Sequence, residues 1–308
     1  MLKNKKIQRN TLNGAPRWVH GYTWSIFGVL FLVLLVLFIL YRDTDIWYLW
    51  FGNQPKDQHA FAEAITPGIF RTRSNTWSNL AYVFVGFYIV AYAWWDTRRT
   101  TTDRDPYAVR QPALMALYGM ACIVLGFGSG LMHASMMPFG HKADVFGMFF
   151  TFVALIALQW GRWIPYVPFT NRRWPSWPIF GIAAIAASLL LLAYSKEFGG
   201  AETILGWLTR LIVLGIVVDA VWRRTSQQYP WLFLAIISLA IGGYLQRSDV
   251  ARRFNPSDAW LQGHAVWHLL TSAMYAFMAI FYRTEIPRTA YRVYKKEANL
   301  EEHPILEE

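Results

Sequence analysis

Apolar residues in this chain run in long blocks, with little strand-like alternation between them. Eight blocks, at 24–41, 77–95, 112–134, 144–161, 178–195, 203–223, 231–246 and 264–282, approach the roughly 17 to 25 apolar residues that carry a helix across about 30 Å of hydrocarbon. The pattern predicts an all-α, polytopic membrane helix bundle. The first block follows a basic start, as a secretory signal does. It runs into Leu40-Tyr41-Arg42-Asp43 without a small-residue cleavage pattern, so a retained anchor is expected. The stretch 42–76 reads as an exoplasmic loop or cap, Pro165, Pro168, Pro175 and Pro178 as brackets of a tight connection, and the residues after 283 as a charged tail.

Composition agrees. At 55% hydrophobic, 17% aromatic and 16% charged, 308 residues carry more apolar surface than a soluble fold could bury. The net charge of +10 is arranged by topology. Lys3, Lys5, Lys6, Arg9 and Arg17 precede the first block, and further arginines fall at alternate connections and in the tail. That places both termini in the cytoplasm of a multi-pass protein, in the cell inner membrane if the source is bacterial. The basic excess suits anionic lipid headgroups, and no nucleic-acid partner is expected. Cys122 stands alone in mid-block, which excludes a disulfide framework. Trp94, Trp95, Trp160, Trp163, Trp174 and Trp177 fall at block ends, where aromatic belts belong. Arg210 and Asp219 are nine positions apart, unsuited to a direct pair, and Asp219 is expected to reach water or Arg223.

Three histidines carry the candidate chemistry. His264 and His268 are one helical turn apart and share a face, while His133 ends a block running the other way. The topology brings all three to the exoplasmic ends of their helices. Three protein nitrogens with one open position are the donor set of a catalytic zinc site. Ser129 lies a turn before His133, and Asp144 is expected to open the next helix after a loop of about ten residues, where it could also serve as a cap. Buried polar groups of this kind are costly inside a membrane unless they are paired. His141 reads as a solvated loop residue. Asn75 and Asn79 read as structural support, the first as a helix cap and the second bonding across helices.

These residues carry a resemblance. Gly126-Phe127-Gly128-Ser129-Gly130-Leu131-Met132-His133, then Asp144, then His264-Ala265-Val266-Trp267-His268 looks like the three-part signature of the alkaline ceramidases. Asn75-Thr76-Trp77-Ser78-Asn79-Leu80 is similar to the motif that opens their seven-helix core. The resemblance spans 63 to about 282, within a wider superfamily of zinc-dependent membrane hydrolases that includes adiponectin-receptor-like proteins. It implies three parts: 1–62 with an extra helix and loop, a seven-helix core over 63–283, and a tail over 284–308. It also implies that His133, His264 and His268 hold Zn2+, that Asp144 is general base towards the metal-bound water, and that Ser129 stabilises the oxyanion. The activity implied is hydrolysis of a ceramide-like lipid amide to a sphingoid base and a fatty acid, with the lipid as partner and no obligate protein partner.

The chain departs from that family where a calcium site would lie. Glu63 is present, but Arg71, Thr72 and Arg73 stand where another acid belongs, and Asp43 and Asp45 are too far upstream to match by spacing. Calcium is not expected; instead Arg71 or Arg73 is expected to pair with Glu63. Other readings remain: hydrolysis of a different lipid amide or an ester, or a receptor or transporter that uses zinc to fix its helices. A haem carrier fits poorly, because His264 and His268 share one face and cannot both ligate one iron.

Overall fold

The computed structural model describes residues 15–51, 61–102, 105–169, 172–223, 225–226 and 228–287. Helix α1 is Arg17–Tyr41, α2 Ile46–Phe51, α3 Arg73–Ser78, α4 Leu80–Thr97, α5 Tyr107–Arg110 and α6 Pro112–Ser135. They are followed by α7 Pro138–Gly161, α8 Trp177–Ala193, α9 Ala201–Val218, α10 Tyr229–Val250 and α11 Gly263–Arg283. Each of the eight apolar blocks falls on a helix. Among the described residues seven spans are long and apolar enough to cross a membrane, with α3 and α4 forming one of them, and α8 is a shorter apolar helix. The protein is a multi-pass integral membrane protein with an all-α bundle fold. Helix is what the blocks must become, since hydrocarbon offers no partner for backbone N–H and C=O groups. Proline in the first turn of α6, α7, α8 and α10 starts those helices where its missing N–H costs nothing.

Helix α6 runs through the middle, flanked by α4 and α7. Helix α11 pairs with α10 and packs on α3 and α4, while α8 and α9 lie against α7. Small residues permit a close crossing: a Cβ on Gly86 of α4 would come within 2.6 Å of the Gly119 carbonyl oxygen of α6. Tyr82, Tyr118, Leu158, Tyr275 and Tyr282 fill the interior around it. Helix α1 lies outside, joined to the core by aromatic pairs such as Trp18 with Trp94 (5.2 Å), Phe27 with Phe84 (4.9 Å) and Phe38 with Phe70 (5.7 Å). The rest of its surface is open, Val29 and Leu40 being 64% and 66% exposed, as befits a helix facing lipid.

The turn between α6 and α7 differs from expectation. Met136 takes a left-handed conformation (φ 52°), its N–H closes on the Met132 carbonyl at 2.6 Å, and Pro138 starts α7 after one extended residue. The helix therefore begins at 138 rather than 144. Its first turns, Phe139-Gly140-His141-Lys142, are too polar to read as part of a span. Asp144 and His141 are inside a helix, and Asp144 is no N-terminal cap.

The end of the bundle away from the histidines is held by ion pairs. Arg162, just past α7, bonds Asp219 at 2.5 Å and Glu285 at 2.8 Å, and the Trp163 indole N–H donates to Asp219 at 2.9 Å. Asp219 is therefore buried against Arg162 instead of reaching water, at the start of a π-helical turn, Asp219–Arg223. Arg283 pairs with Asp96 nearby. The proline-bracketed connection is a β-hairpin, β1 Tyr166–Phe169 against β2 Arg172–Pro175. A second short ladder pairs β3 Thr225–Ser226 with β4 Ile286–Pro287. The expected tail falls mostly on 288–308, outside the described residues.

Removing Arg162 alone strands two buried carboxylates. Arg162→Met is expected to cost about 3–5 kcal/mol in detergent unfolding, while apolar replacement of Arg162, Asp219 and Glu285 together restores most of it.

Candidate metal centre

The site begins with the carboxyl end of α6, whose last carbonyls have no partner within the helix. Residues 71 and 72 supply them. The Thr72 N–H and hydroxyl both donate to the His133 carbonyl, at 3.1 and 2.8 Å. The Arg71 N–H donates to Ala134 O at 3.0 Å and its guanidinium to Ser135 O at 2.8 Å. The same guanidinium, 2% exposed, grips both oxygens of Asp45 at 2.9 Å. A cation here also complements the helix dipole.

Arg71 therefore does not pair with Glu63, as the sequence led us to expect. Its counter-ion is Asp45, which spacing had set aside, and backbone N–H groups reach Glu63 instead. Its two oxygens accept from Ser74 N (2.6 Å) and Asn75 N (2.9 Å), capping α3, whose own N-cap residue Thr72 makes no side-chain cap. The segment carrying Glu63 is tied to the α10–α11 corner, where Asp249 accepts from Ala62 N and Gly263 N at 3.2 and 2.7 Å. Burial, with the Asp249 charge adding to it, pushes the Glu63 carboxyl up to about 7.

His133, His264 and His268 come together as expected. All three are buried, their rings are 5.0, 5.0 and 4.5 Å apart, and one nitrogen of each lies within 4.8 Å of the others. The closest approach is Nε2 to Nε2 of His133 and His264, at 3.2 Å. Two zinc–nitrogen bonds of about 2.0–2.1 Å at a tetrahedral angle would set nitrogens about 3.3 Å apart, so the spacing fits a metal. Hydroxyls hold the opposite ring nitrogens: Ser78 Oγ is 2.8 Å from His268 Nδ1, and Thr72 Oγ1 is 3.4 Å from His133 Nδ1. Both hydroxyls spend their protons on backbone carbonyls, Asn75 O at 2.9 Å and His133 O at 2.8 Å. Each is left to accept a proton from Nδ1, which frees Nε2 for a ligand. His264 Nδ1 has no partner among the described residues. Phe61 covers the trio, 4.4 Å from the His264 ring and 4.9 Å from that of His133. The three histidines could hold a metal ion.

Ser129 and Asp144 stand outside that trio, on α6 and α7 where these two helices pack closely. Gly128 makes the approach possible, since a Cβ there would meet the Ala143 carbonyl oxygen at 2.4 Å. Asn75 and Asn79 are both buried in the α3–α4 corner. Asn79 Nδ2 donates to Asn75 O at 2.7 Å and lies 3.3 Å from His268 Nδ1. Both Asn75 side-chain polar atoms and Asn79 Oδ1 lack partners among the described residues. Sequence reasoning missed Thr72, Ser78 and Phe61. Ser78 lies within the motif already noted, and Thr72 had been read as a missing acid.

The chain matches the haemolysin-III related family over residues 69–279, which includes all three histidines, Ser129 and Asp144. It belongs to that family. The family lies within the adiponectin-receptor and ceramidase-like superfamily, so the resemblance holds at that broader level. Helices α1 and α2, Asp45 and Glu63 fall outside the matched residues. No curated protein matches the chain.

Protein purified in detergent should carry one divalent metal per chain by mass spectrometry, and His133→Ala, His264→Ala and His268→Ala should each lose most of it. A second prediction concerns Glu63. Raised from its ordinary 4.5 to about 7, it favours the folded state fully below pH 4.5 and loses that contribution as pH climbs through 7. Thermal midpoints should fall across this window in the parent, and Glu63→Gln should flatten the slope.

Proposed function

We propose that the protein is a zinc-dependent intramembrane hydrolase that cleaves a lipid amide of the ceramide type. The observation that carries this reading is the buried histidine trio, with hydroxyls at the Nδ1 atoms of His133 and His268 and the Nε2 atoms of His133 and His264 3.2 Å apart, and with Ser129 and Asp144 at the adjoining α6–α7 interface. A zinc ion held by His133, His264 and His268 would supply a Lewis acid and draw the pKa of water from about 16 towards 7.

The remaining roles belong to the chain. Asp144 is the general base that takes the proton from the attacking water. Ser129, on the neighbouring helix α6, donates its hydroxyl proton to the carbonyl oxygen as negative charge develops there. Phe61, Tyr82 and Tyr275 shield the region from bulk water. The substrate is a lipid because the outer faces of α1, α8, α9 and α10 are apolar and the described residues include no soluble domain around the site. The basic residues before α1 and at alternate connections support cytoplasmic termini and a site towards the exoplasmic leaflet.

Reconstituted protein should release fatty acid from N-acyl sphingoid bases in a mass-spectrometric screen of lipid amides and esters. Ser129→Ala should lower kcat by about 10²–10³, corresponding to roughly 3 kcal/mol. Asp144→Asn should lower it by about 10²–10⁴. Both should keep their metal, because neither side chain belongs to the trio. Full metal occupancy without turnover of any lipid amide would overturn the reading in favour of a receptor or transporter.

A further inference from the structure

A cavity of about 230 Å³ lies between α1 and the core, behind the histidines. Leu34 and Trp47 wall it from the amino-terminal side, Phe70 and Val83 from the α3–α4 side, and Phe127 and Leu131 from α6. The polar side chains among its lining residues, apart from the Trp47 and Trp77 indoles, are Thr76 and Asn79. Trp47 and Thr76 are satisfied, donating to Ile69 O at 2.8 Å and to Thr72 O at 2.5 Å. Asn79 is not: it is 1% exposed and its Oδ1 has no partner among the described residues. An acceptor left bare in such burial costs stability unless something donates to it. Asn79 also touches the site, its Nδ2 lying 3.3 Å from His268 Nδ1.

We propose that this cleft seats one acyl chain of the substrate lipid, with Asn79 Oδ1 accepting a hydrogen bond from the lipid's amide or hydroxyl group beside His268. Three observations select that occupant. The lining is apolar and lies between membrane-crossing helices, so hydrocarbon is the material at hand. The volume is below the roughly 300–1,000 Å³ of pockets that enclose a whole small molecule, which suits one chain rather than an entire lipid. The one unsatisfied side-chain acceptor among the lining residues belongs to Asn79, whose Nδ2 lies 3.3 Å from His268 Nδ1. The outer wall, from α1 and α2, lies outside the residues matched to the family. The assignment rests on the hydrolase reading for the word substrate, but not for the binding itself.

The test is photolabelling of the full chain in phosphatidylcholine nanodiscs, using a ceramide analogue with a diazirine on its acyl chain. Adducts are expected on peptides holding Leu34, Val83 and Phe127 to Leu131. Excess unlabelled ceramide should suppress them and added phosphatidylcholine should not. Leu34→Trp, which fills the cleft from α1, should reduce labelling at least five-fold with metal content and thermal midpoint unchanged. Leu131→Trp fills it from α6 and provides a second variant should the first not fold. In turnover, filling should depress kcat/KM for long-chain amides more than for short ones. Labelling elsewhere, labelling that phosphatidylcholine displaces equally, or labelling indifferent to both variants overturns the cleft. Turnover with no cleft labelling removes the cleft alone, whereas cleft labelling with no turnover removes the hydrolase reading alone.

Discussion

The position of the histidines depends on how the carboxyl end of α6 is finished. A helix that stops inside the protein leaves carbonyl groups whose desolvation must be offset, and here three successive carbonyls, of His133, Ala134 and Ser135, are met from residues 71 and 72. The bonds that satisfy the helix end also fix the His133 imidazole, because the Thr72 hydroxyl that bonds its carbonyl lies beside its Nδ1. Arg71 can be buried there because Asp45 neutralises it. Its counter-ion thus comes from outside the part of the chain matched to the family, so a chain trimmed to residues 69–279 would bury a guanidinium without its carboxylate.

Polar chemistry is divided between the two ends of the bundle. One end gathers imidazoles, hydroxyls and amides around a small space, with the Arg71–Asp45 pair beside it; the other gathers ion pairs, Arg162 with Asp219 and Glu285, and Arg283 with Asp96. Between them the interior is largely tyrosine and aliphatic, and the Tyr118 hydroxyl donates to the Tyr275 carbonyl at 3.1 Å. The arrangement follows from the solvent. Ion pairs near the membrane faces hold helix ends in register at modest desolvation cost, whereas charges at mid-depth would be far more expensive.

Much of this was legible in the sequence, for identifiable reasons. The eight blocks were readable because hydrocarbon imposes a length on whatever crosses it. The trio was readable because His264 and His268 are one turn apart and alternating topology returns His133 to their level. What escaped had no such period. The start of α7 was missed because its first turns are polar and only Pro138 marks them. The Arg71–Asp45 pair joins residues on separate segments, and no spacing rule links them. Thr72 and Ser78 serve through hydroxyls that any helix start could carry. Glu63 was found, but its partners are backbone amides, which look alike in every sequence.

Phe61 rests on two of the histidines, and the residues after it are moored at both sides. Ala62 and Ala64 bond towards the α10–α11 corner, the latter to Ser257 O at 2.8 Å, while Glu63 is fastened to the start of α3. The aromatic roof cannot lift without releasing at least one of these moorings. A ring set over two imidazoles by a doubly fastened segment keeps that side of the trio apolar and closely packed.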